Sequence, residues 1–350
     1  MTLDYTSTAV LLAAYKEQKA PNNFLHSRYF PDGETFTTSQ VLVEYKDGNQ
    51  KLAPFVAPEI GGKVVKRDGY TAHAYQPAFI APKRALTIDN LAQKGFGEAL
   101  YGNLTPEERA IQITTDDLTD MDAMITRTIN QMSAQVFEEN AITMKHYGDD
   151  NKLYETKNLA FFTETRNPAV YTPSVAWTEA TADILGDIAA MASELTKRGL
   201  PAVDVILGTA AADAILNNEK VLKLLDNRNF NIGAVDPTES FPEAVFLGQI
   251  NCKGHKLNFI QYAATYEGDD GTIKSYINPN SVIVTAPNCG VTNYGAITQI
   301  DFGNKDFTTY AEKRVPLYDV KDQVRTIALR SAPLVQPKNK NPFIKATVLF

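Results

Sequence analysis

Cysteine is nearly absent: Cys252 and Cys289 are the only two in 350 residues, too few and too far apart for a disulfide framework. That excludes the small stapled scaffolds and fits a reducing cytoplasm, with both thiols expected as buried apolar fillers. Basic charge is also in deficit, with 34 Lys and Arg against 41 Asp and Glu, a formal net charge of -7 and a pI near 5.3. A sequence-reading nucleic-acid binder would carry a basic face, so that class is excluded, although an acidic body can face DNA without gripping it. No window approaches 18 apolar residues, and the start Met-Thr-Leu-Asp-Tyr has no basic run before an apolar core. Neither a membrane span nor a signal peptide is expected.

Catalytic signatures are missing too. His26, His73, His146 and His255 fall in separate segments without Cys, Asp or Glu at metal-ligand spacing, so no metal site is expected. Gly61-Gly62-Lys63 is followed by Val64 rather than Ser or Thr, which spoils a phosphate loop. The strand-turn-helix pattern over 203–215 offers only Gly208 where a dinucleotide fingerprint needs three glycines. Asp269-Asp270 lacks the alternating donors and closing glutamate of a calcium loop. There is no Gly-x-Ser-x-Gly elbow or His-Glu-x-x-His pair, so neither a catalytic residue nor a cofactor site is expected.

What is present is a long β arm over 40–88. Val41, Val43 and Tyr45, then Tyr70, Ala72 and Ala74, alternate as strands do, and Asp47-Gly48, Gly61-Gly62 and Asp68-Gly69 are turn signals. Pro54, Pro58, Pro77 and Pro82 exclude a helix and disfavour a central strand. A two-stranded ribbon alone is marginal in water, and each leg could reach up to roughly 80 Å at about 3.3 Å per residue. Such an arm needs another surface, in its own chain or a neighbour's. Ahead of it, 1–39 reads as a mobile arm with a short helical pattern at 10–15.

After the arm, Thr105-Pro106-Glu107-Glu108 suggests a short helix start. A separate long amphipathic helix is expected over about 115–146, capped by Thr115, with Leu118, Met121, Ile125, Ile129, Met132 and Val136 on one stripe. An α/β region follows, with helices at 181–198 and 210–225 and strands at 203–207, 244–250, 257–266, 272–277 and 281–285. A last ladder at 325–329 and 343–350 is expected to tie the terminal strand into a core sheet. Strands precede and follow the helices without regular alternation, so the class is α+β.

Charge is segregated. Between 40 and 88 seven basic residues, Lys46, Lys51, Lys63, Lys66, Arg67, Lys83 and Arg84, face four acids. Between 97 and 122 seven acids, among them Asp116, Asp117 and Asp120, face Arg109 alone. Lys63, Lys66, Arg67, Lys83 and Arg84 are therefore expected to meet Asp116, Asp117 and Asp120 of a neighbouring subunit.

This order of parts, with Phe36-Thr37-Thr38-Ser39-Gln40-Val41 entering the arm, Ala57-Pro58-Glu59-Ile60-Gly61-Gly62-Lys63-Val64-Val65 inside it and Tyr75-Gln76-Pro77-Ala78-Phe79-Ile80-Ala81-Pro82-Lys83 closing it, resembles the phage lambda major head protein (capsid protein E) family. Ile277-Asn278-Pro279-Asn280 and Ser331-Ala332-Pro333-Leu334 extend the likeness over most of the chain. The resemblance implies the Hong Kong 97-like fold: an N-terminal arm at 1–39, the extended E-loop at 40–88, and a peripheral (P) domain with its spine helix at 89–167. An axial (A) domain would follow at 168–299 and a return to the P domain at 300–350. It further implies a tailed-phage capsid protein, assembled in the host cytoplasm into pentamers and hexamers of an icosahedral shell around packaged double-stranded DNA. Because only 39 residues precede the arm, the expected partner is a separate scaffolding protein rather than a fused one. A portal and a decoration protein are further partners of such heads, though no residue speaks for either. The competing readings are a small-molecule enzyme on the α/β region with the arm as a dimerisation hairpin, or another phage part such as a mostly β tail tube.

Overall fold

The computed structural model describes residues 23–38, 40–46, 70–88, 105–147, 152–161, 169–179, 181–219, 221, 244–268, 270–321 and 324–350. The helical pattern at 10–15, the outer arm at 47–69 and the segment 222–243 lie outside these.

Strand character in the middle of the chain follows from two runs apolar on both faces. Asp204–Leu207 and Ser281–Thr285 are buried throughout and pair antiparallel, Ile283 opposite Ile206. Around them a six-stranded mixed sheet forms in the order Val170–Tyr171, Ile344–Thr347, Ser281–Thr285, Asp204–Leu207, His255–Tyr262 and Ala244–Cys252. Alternation sends Val205, Leu207, Val282 and Val284 to one face and Ile206 and Ile283 to the other. Each face needs its own cover, which is why the sheet reads as continuous rather than alternating hydrophobicity.

Helices supply both covers. We label them α1 (Phe24–Tyr29), α2 (Pro106–Glu139), α3 (Ile184–Lys197) and α4 (Thr209–Leu216). On one face lie Ile188, Met191 and Leu195 of α3 with Ala211 and Ile215 of α4. Gly208 caps α4 because the strand turns there against the backbone of Asn278 and Pro279; a Cβ would sit 2.3 Å from the Asn278 carbonyl oxygen. Close packing accounts for this glycine. On the other face, α1 and the C-terminal half of α2 meet the sheet through aromatic rings: Phe24 stacks on Tyr262 at 5.6 Å, and Phe137 meets Tyr29 and Phe343 edge-on at 5.5 and 5.2 Å.

The long helix differs from expectation at both ends. It is a single rod of 34 residues beginning at Pro106, not two helices with a new start at Thr115. Thr105 and Glu108 form a reciprocal capping box, with Thr105 Oγ1 accepting from Glu108 N at 3.2 Å and Glu108 Oε2 accepting from Thr105 N at 2.8 Å. Thr115 sits inside the rod and donates its hydroxyl to the Ile111 carbonyl at 2.9 Å. The helix stops at Glu139 rather than near His146, because Asn140 turns left-handed with φ 51° and Ala141–Tyr147 leaves to pair with Leu153–Ala160. The apolar stripe stands as expected, with Leu118, Met121, Ile125, Ile129, Met132 and Val136 all buried. At 1.5 Å per residue the rod is about 51 Å long.

Two three-stranded sheets lie beside the rod. One places Gly290–Tyr294 between Asp32–Thr35 and Pro333–Pro337; the other places Val324–Arg330 between Val315–Lys321 and Lys83–Leu86. Leu329 and Val335 share a core with α2. Ile344–Thr347 leaves to become an inner strand of the six-stranded sheet, because Ile344, Ala346 and Val348 alternate towards α3 and α4. Lys345, between them, reaches back to Glu138 of α2 at 2.5 Å.

Candidate assembly surfaces

The arm is an antiparallel ribbon. Val41–Lys46 pairs with Tyr70–Tyr75 in a register running from Val41 opposite Tyr75 to Lys46 opposite Tyr70, and no third strand joins them among the described residues. The ribbon is rooted by a small apolar knot in which Val41, Tyr75 and Leu334 are buried, with Phe36, Leu159 and Phe161 packed against them. Beyond the ribbon, 77–82 is clipped to the body by main-chain bonds. Ala78 N donates to Pro333 O at 3.1 Å, Ile80 and Ser331 exchange bonds at 2.9 Å, and Leu329 N donates to Pro82 O at 3.1 Å.

The charged residues singled out from the sequence divide into three groups. Lys63, Lys66 and Arg67 lie outside the described residues. Arg84 is brought to Asp117 and Asp120 of its own chain, its Nη1 donating to Asp117 Oδ1 at 2.6 Å and Asp120 Oδ2 at 3.0 Å. These carboxylates, three residues apart on α2, face the same way. Asp116 points elsewhere, is exposed and makes no ion pair with another described residue. Lys83, one residue before Arg84 in the same edge strand, is also exposed.

Three further carboxylates, not singled out from the sequence, tie the elements together. Asp204 is fully buried and accepts from Arg28 Nε at 2.7 Å, Tyr29 OH at 3.0 Å and Asn258 Nδ2 at 2.9 Å, which fixes α1 to the sheet. Glu138 accepts from Asn278 N at 3.0 Å and Ser281 Oγ at 3.1 Å as well as pairing with Lys345, which fixes the end of α2 to the same sheet. Asp32 receives Tyr294 OH at 2.5 Å and Lys313 Nζ at 2.8 Å, with His26 Nε2 at 3.2 Å. No sequence signal marks these residues, since each partner lies more than a hundred positions away or on another element.

Burial alone would raise the Asp32 carboxyl, but His26, Lys313 and Tyr294 outweigh it and hold it well below the usual carboxylate range. A carboxylate depressed in the folded state contributes stability that is present above its unfolded pKa, near 4, and is lost as the pH falls below that. Asp32→Asn is therefore expected to lose less stability than the wild type between pH 5 and pH 3, read as the shift in urea midpoint over about that interval. Equal shifts in the two proteins would remove Asp32 from the acid response.

Chemistry is sparse elsewhere. Cys252 and Cys289 are both buried, and burial pushes each thiol up to about 12, far from a reactive thiolate. No group of three or more metal-ligating side chains occurs among the described residues. Apolar surface is a stronger feature: in the hairpin Ile297–Ile300 with Phe307–Tyr310, Ile300 stands directly opposite Phe307, and they are 45% and 75% exposed. Phe302, 48% exposed, extends this patch and packs edge-on against Tyr318. Clustered apolar surface of this kind marks a contact site.

A rooted ribbon, a long helical rod and a doubly covered sheet are parts of a subunit built to be joined, and comparison with known proteins agrees. The sequence profile described as phage major capsid protein E matches residues 7–348. The chain belongs to the phage major capsid protein E family. It is similar to the P21 prophage-derived major head protein of Escherichia coli O6:H1, with 24% identity over 96% of this chain and 97% of that protein. It is also similar to the major capsid protein of Escherichia phage lambda, with 22% identity over 97% of each. Among solved structures, the putative capsid protein of an E. coli CFT073 prophage superposes with a TM-score of 0.69 at 17% identity, covering 98% of this chain and 99% of that one. A phage-related protein of Bordetella bronchiseptica gives 0.51 at 10% identity over 97% of both. The fold is the α+β, Hong Kong 97-like capsid fold. The chain is a phage major capsid protein, a component of the virion. No helix among the described residues is long and apolar enough to cross a membrane.

Proposed function

We propose that copies of this chain join into pentamers and hexamers chiefly through the ribbon, which lies over the body of a neighbouring copy. The observation that carries this reading is the ribbon itself: two strands, rooted at one end by Val41, Tyr75 and Leu334, with no third strand to complete them among the described residues. An isolated two-stranded ribbon gains too little to be stable in water, and the surface that rescues it is another subunit. In this reading 40–88 acts as the E-loop, α2 as the spine of a P domain, and the six-stranded sheet with α3 and α4 as the A domain. The Ile300, Phe302 and Phe307 patch is a second contact between copies. The role is structural, without catalysis. Assembly takes place in the host cytoplasm with a separate scaffolding protein, a portal completes the head, a decoration protein can add to it, and double-stranded DNA is enclosed without base-specific recognition.

Charge supports the same arrangement. Since Asp117 and Asp120 already bind Arg84 of their own chain, Asp116, exposed on another side of the same helix, is the one of the three left for a neighbour's Lys63, Lys66 and Arg67. Reversing all three basic residues to Glu is expected to reduce shell yield about tenfold and to invert its dependence on salt, because like charges would then face each other. Shells counted by negative-stain microscopy at low and high salt give the answer; unchanged yield and salt response would mean that the ribbon docks without this pairing.

A further inference from the structure

We infer that Arg84 is a positioning residue for shell assembly: by bracing the arm's return strand against α2 of its own subunit, it sets the angle at which the ribbon leaves the body. The inference rests on the reading that the ribbon grips a neighbouring copy.

The ribbon is held in two different ways. At its root the Val41, Tyr75 and Leu334 knot is apolar, and apolar contact has no preferred direction, so it fixes a point and not an orientation. The outgoing leg is tied to the body at Phe36 N–Tyr294 O and Ala296 N–Thr38 O, at 2.8 and 3.1 Å, and the return leg supplies the second set of directional anchors. That leg runs along 329–333 through main-chain bonds and ends in Lys83–Leu86, an edge strand of the sheet with Val324–Arg330. An edge strand has a partner on one side only. On its other attachment, Arg84 reaches α2 and engages two carboxylates at 2.6 and 3.0 Å.

Charge-assisted bonds from a planar guanidinium are directional, unlike the knot. The helix they reach is the stiffest element available, with its stripe from Leu118 to Val136 buried in the core. Root and brace are thus separated along the chain and attached to different elements, which is what defines an angle. The pair is not what holds the fold together: Asp117 is 14% exposed, but Arg84 is 38% and Asp120 62% exposed, and a pair whose cation is open to water contributes little to stability. Yet a closed shell demands nearly the same exit angle from many copies, and functional geometry of this kind tolerates errors of only about 10–20°. Loss of the brace therefore spares the subunit and harms the shell. The same pairing explains why the local charge asymmetry between arm and helix start does not all remain available to neighbours.

The test compares wild type, Arg84→Ala, Arg84→Lys and the swap Arg84→Asp with Asp117→Arg, each produced alone and with the phage's other head proteins, by thermal melting and negative-stain microscopy. Arg84→Ala is expected to melt within a few degrees of wild type while closed shells of wild-type diameter fall about tenfold or more, replaced by open or irregular sheets. Arg84→Lys keeps the charge without the planar fork and is expected to fall between, and the swap to recover regular shells in part. Normal shells from Arg84→Ala, or loss of folding in Arg84→Ala and Arg84→Lys alike, would overturn the inference, the latter by making Arg84 a residue of folding. A variant with the ribbon shortened, run in parallel, separates the two levels. If it assembles normally, the ribbon reading and this inference both fall; if it does not while Arg84→Ala does, only the brace is wrong.

Discussion

Replacing Asp204 with alanine is expected to lower the stability of the unassembled subunit by roughly 3–5 kcal/mol, the range found when one partner of a buried ion pair is removed. The carboxylate is fully buried, and three groups depend on it: the Arg28 guanidinium, the Tyr29 hydroxyl and the Asn258 amide. Alanine would strand all three, one of them charged, in a site that water enters poorly. Asp204→Asn keeps the shape and the bond to Tyr29 but loses the ion pair, so it should cost less. Arg28→Met should cost more than Asp204→Asn, because it leaves a fully buried carboxylate without its counter-charge, whereas Arg28 is itself 22% exposed. Urea unfolding of the purified subunit measures the series. A change of less than about 1 kcal/mol for Asp204→Ala, the worth of one ordinary hydrogen bond, would show that α1 is held to the sheet by its aromatic rings alone.

The second large effect is on assembly and leaves the fold alone. Because Lys46 stands directly opposite Tyr70, residues 47–69 can be replaced by a two-residue Asn-Gly turn that closes a regular hairpin. Val41, Tyr75 and Leu334, which root the ribbon, are untouched, so melting should hardly change. Closed shells are expected to drop on the order of a hundredfold, since about 1.4 kcal/mol of lost contact is worth a factor of ten and the outer ribbon would supply more than that at each copy. Sedimentation and electron microscopy read both quantities in one preparation. Wild-type shells from the shortened chain would remove the ribbon from assembly and leave the Ile300, Phe302 and Phe307 patch as the surface to pursue.

Much of this architecture is legible in the residues because local rules act alone there. The ribbon of Val41–Lys46 with Tyr70–Tyr75 shows through its alternation, the buried stripe of α2 through its three-and-four spacing, and the strand Ser281–Thr285 through an unbroken apolar run. The ends of α2 are harder. Its stripe begins only at Leu118, so the first turns carry little periodic signal, and the Thr105 capping box is their clearest mark. At the other end Ile142 and Met144 continue an apolar spacing that a helix could also use, and only the left-handed Asn140 breaks it. The α4 expectation overran in a similar way: the helix ends at Leu216, with Asn217 as its cap. The charge segregation singled out Arg84, Asp117 and Asp120 as partners across subunits, whereas here Arg84 meets both carboxylates within its own chain, because sequence cannot distinguish a partner in the same chain from one in the next. Asp204, Glu138 and Asp32 carry no local sign at all, because what makes them important is assembled from distant segments.

The placement of Ile344–Thr347 between Val170–Tyr171 and Ser281–Thr285 has a consequence for biosynthesis. During translation the Ser281–Thr285 edge emerges well before the strand that covers it, so the nascent protein cannot seal this layer until residue 347 has left the ribosome. A copy terminated early would present an unpaired apolar edge to chaperones and proteases in place of a finished subunit.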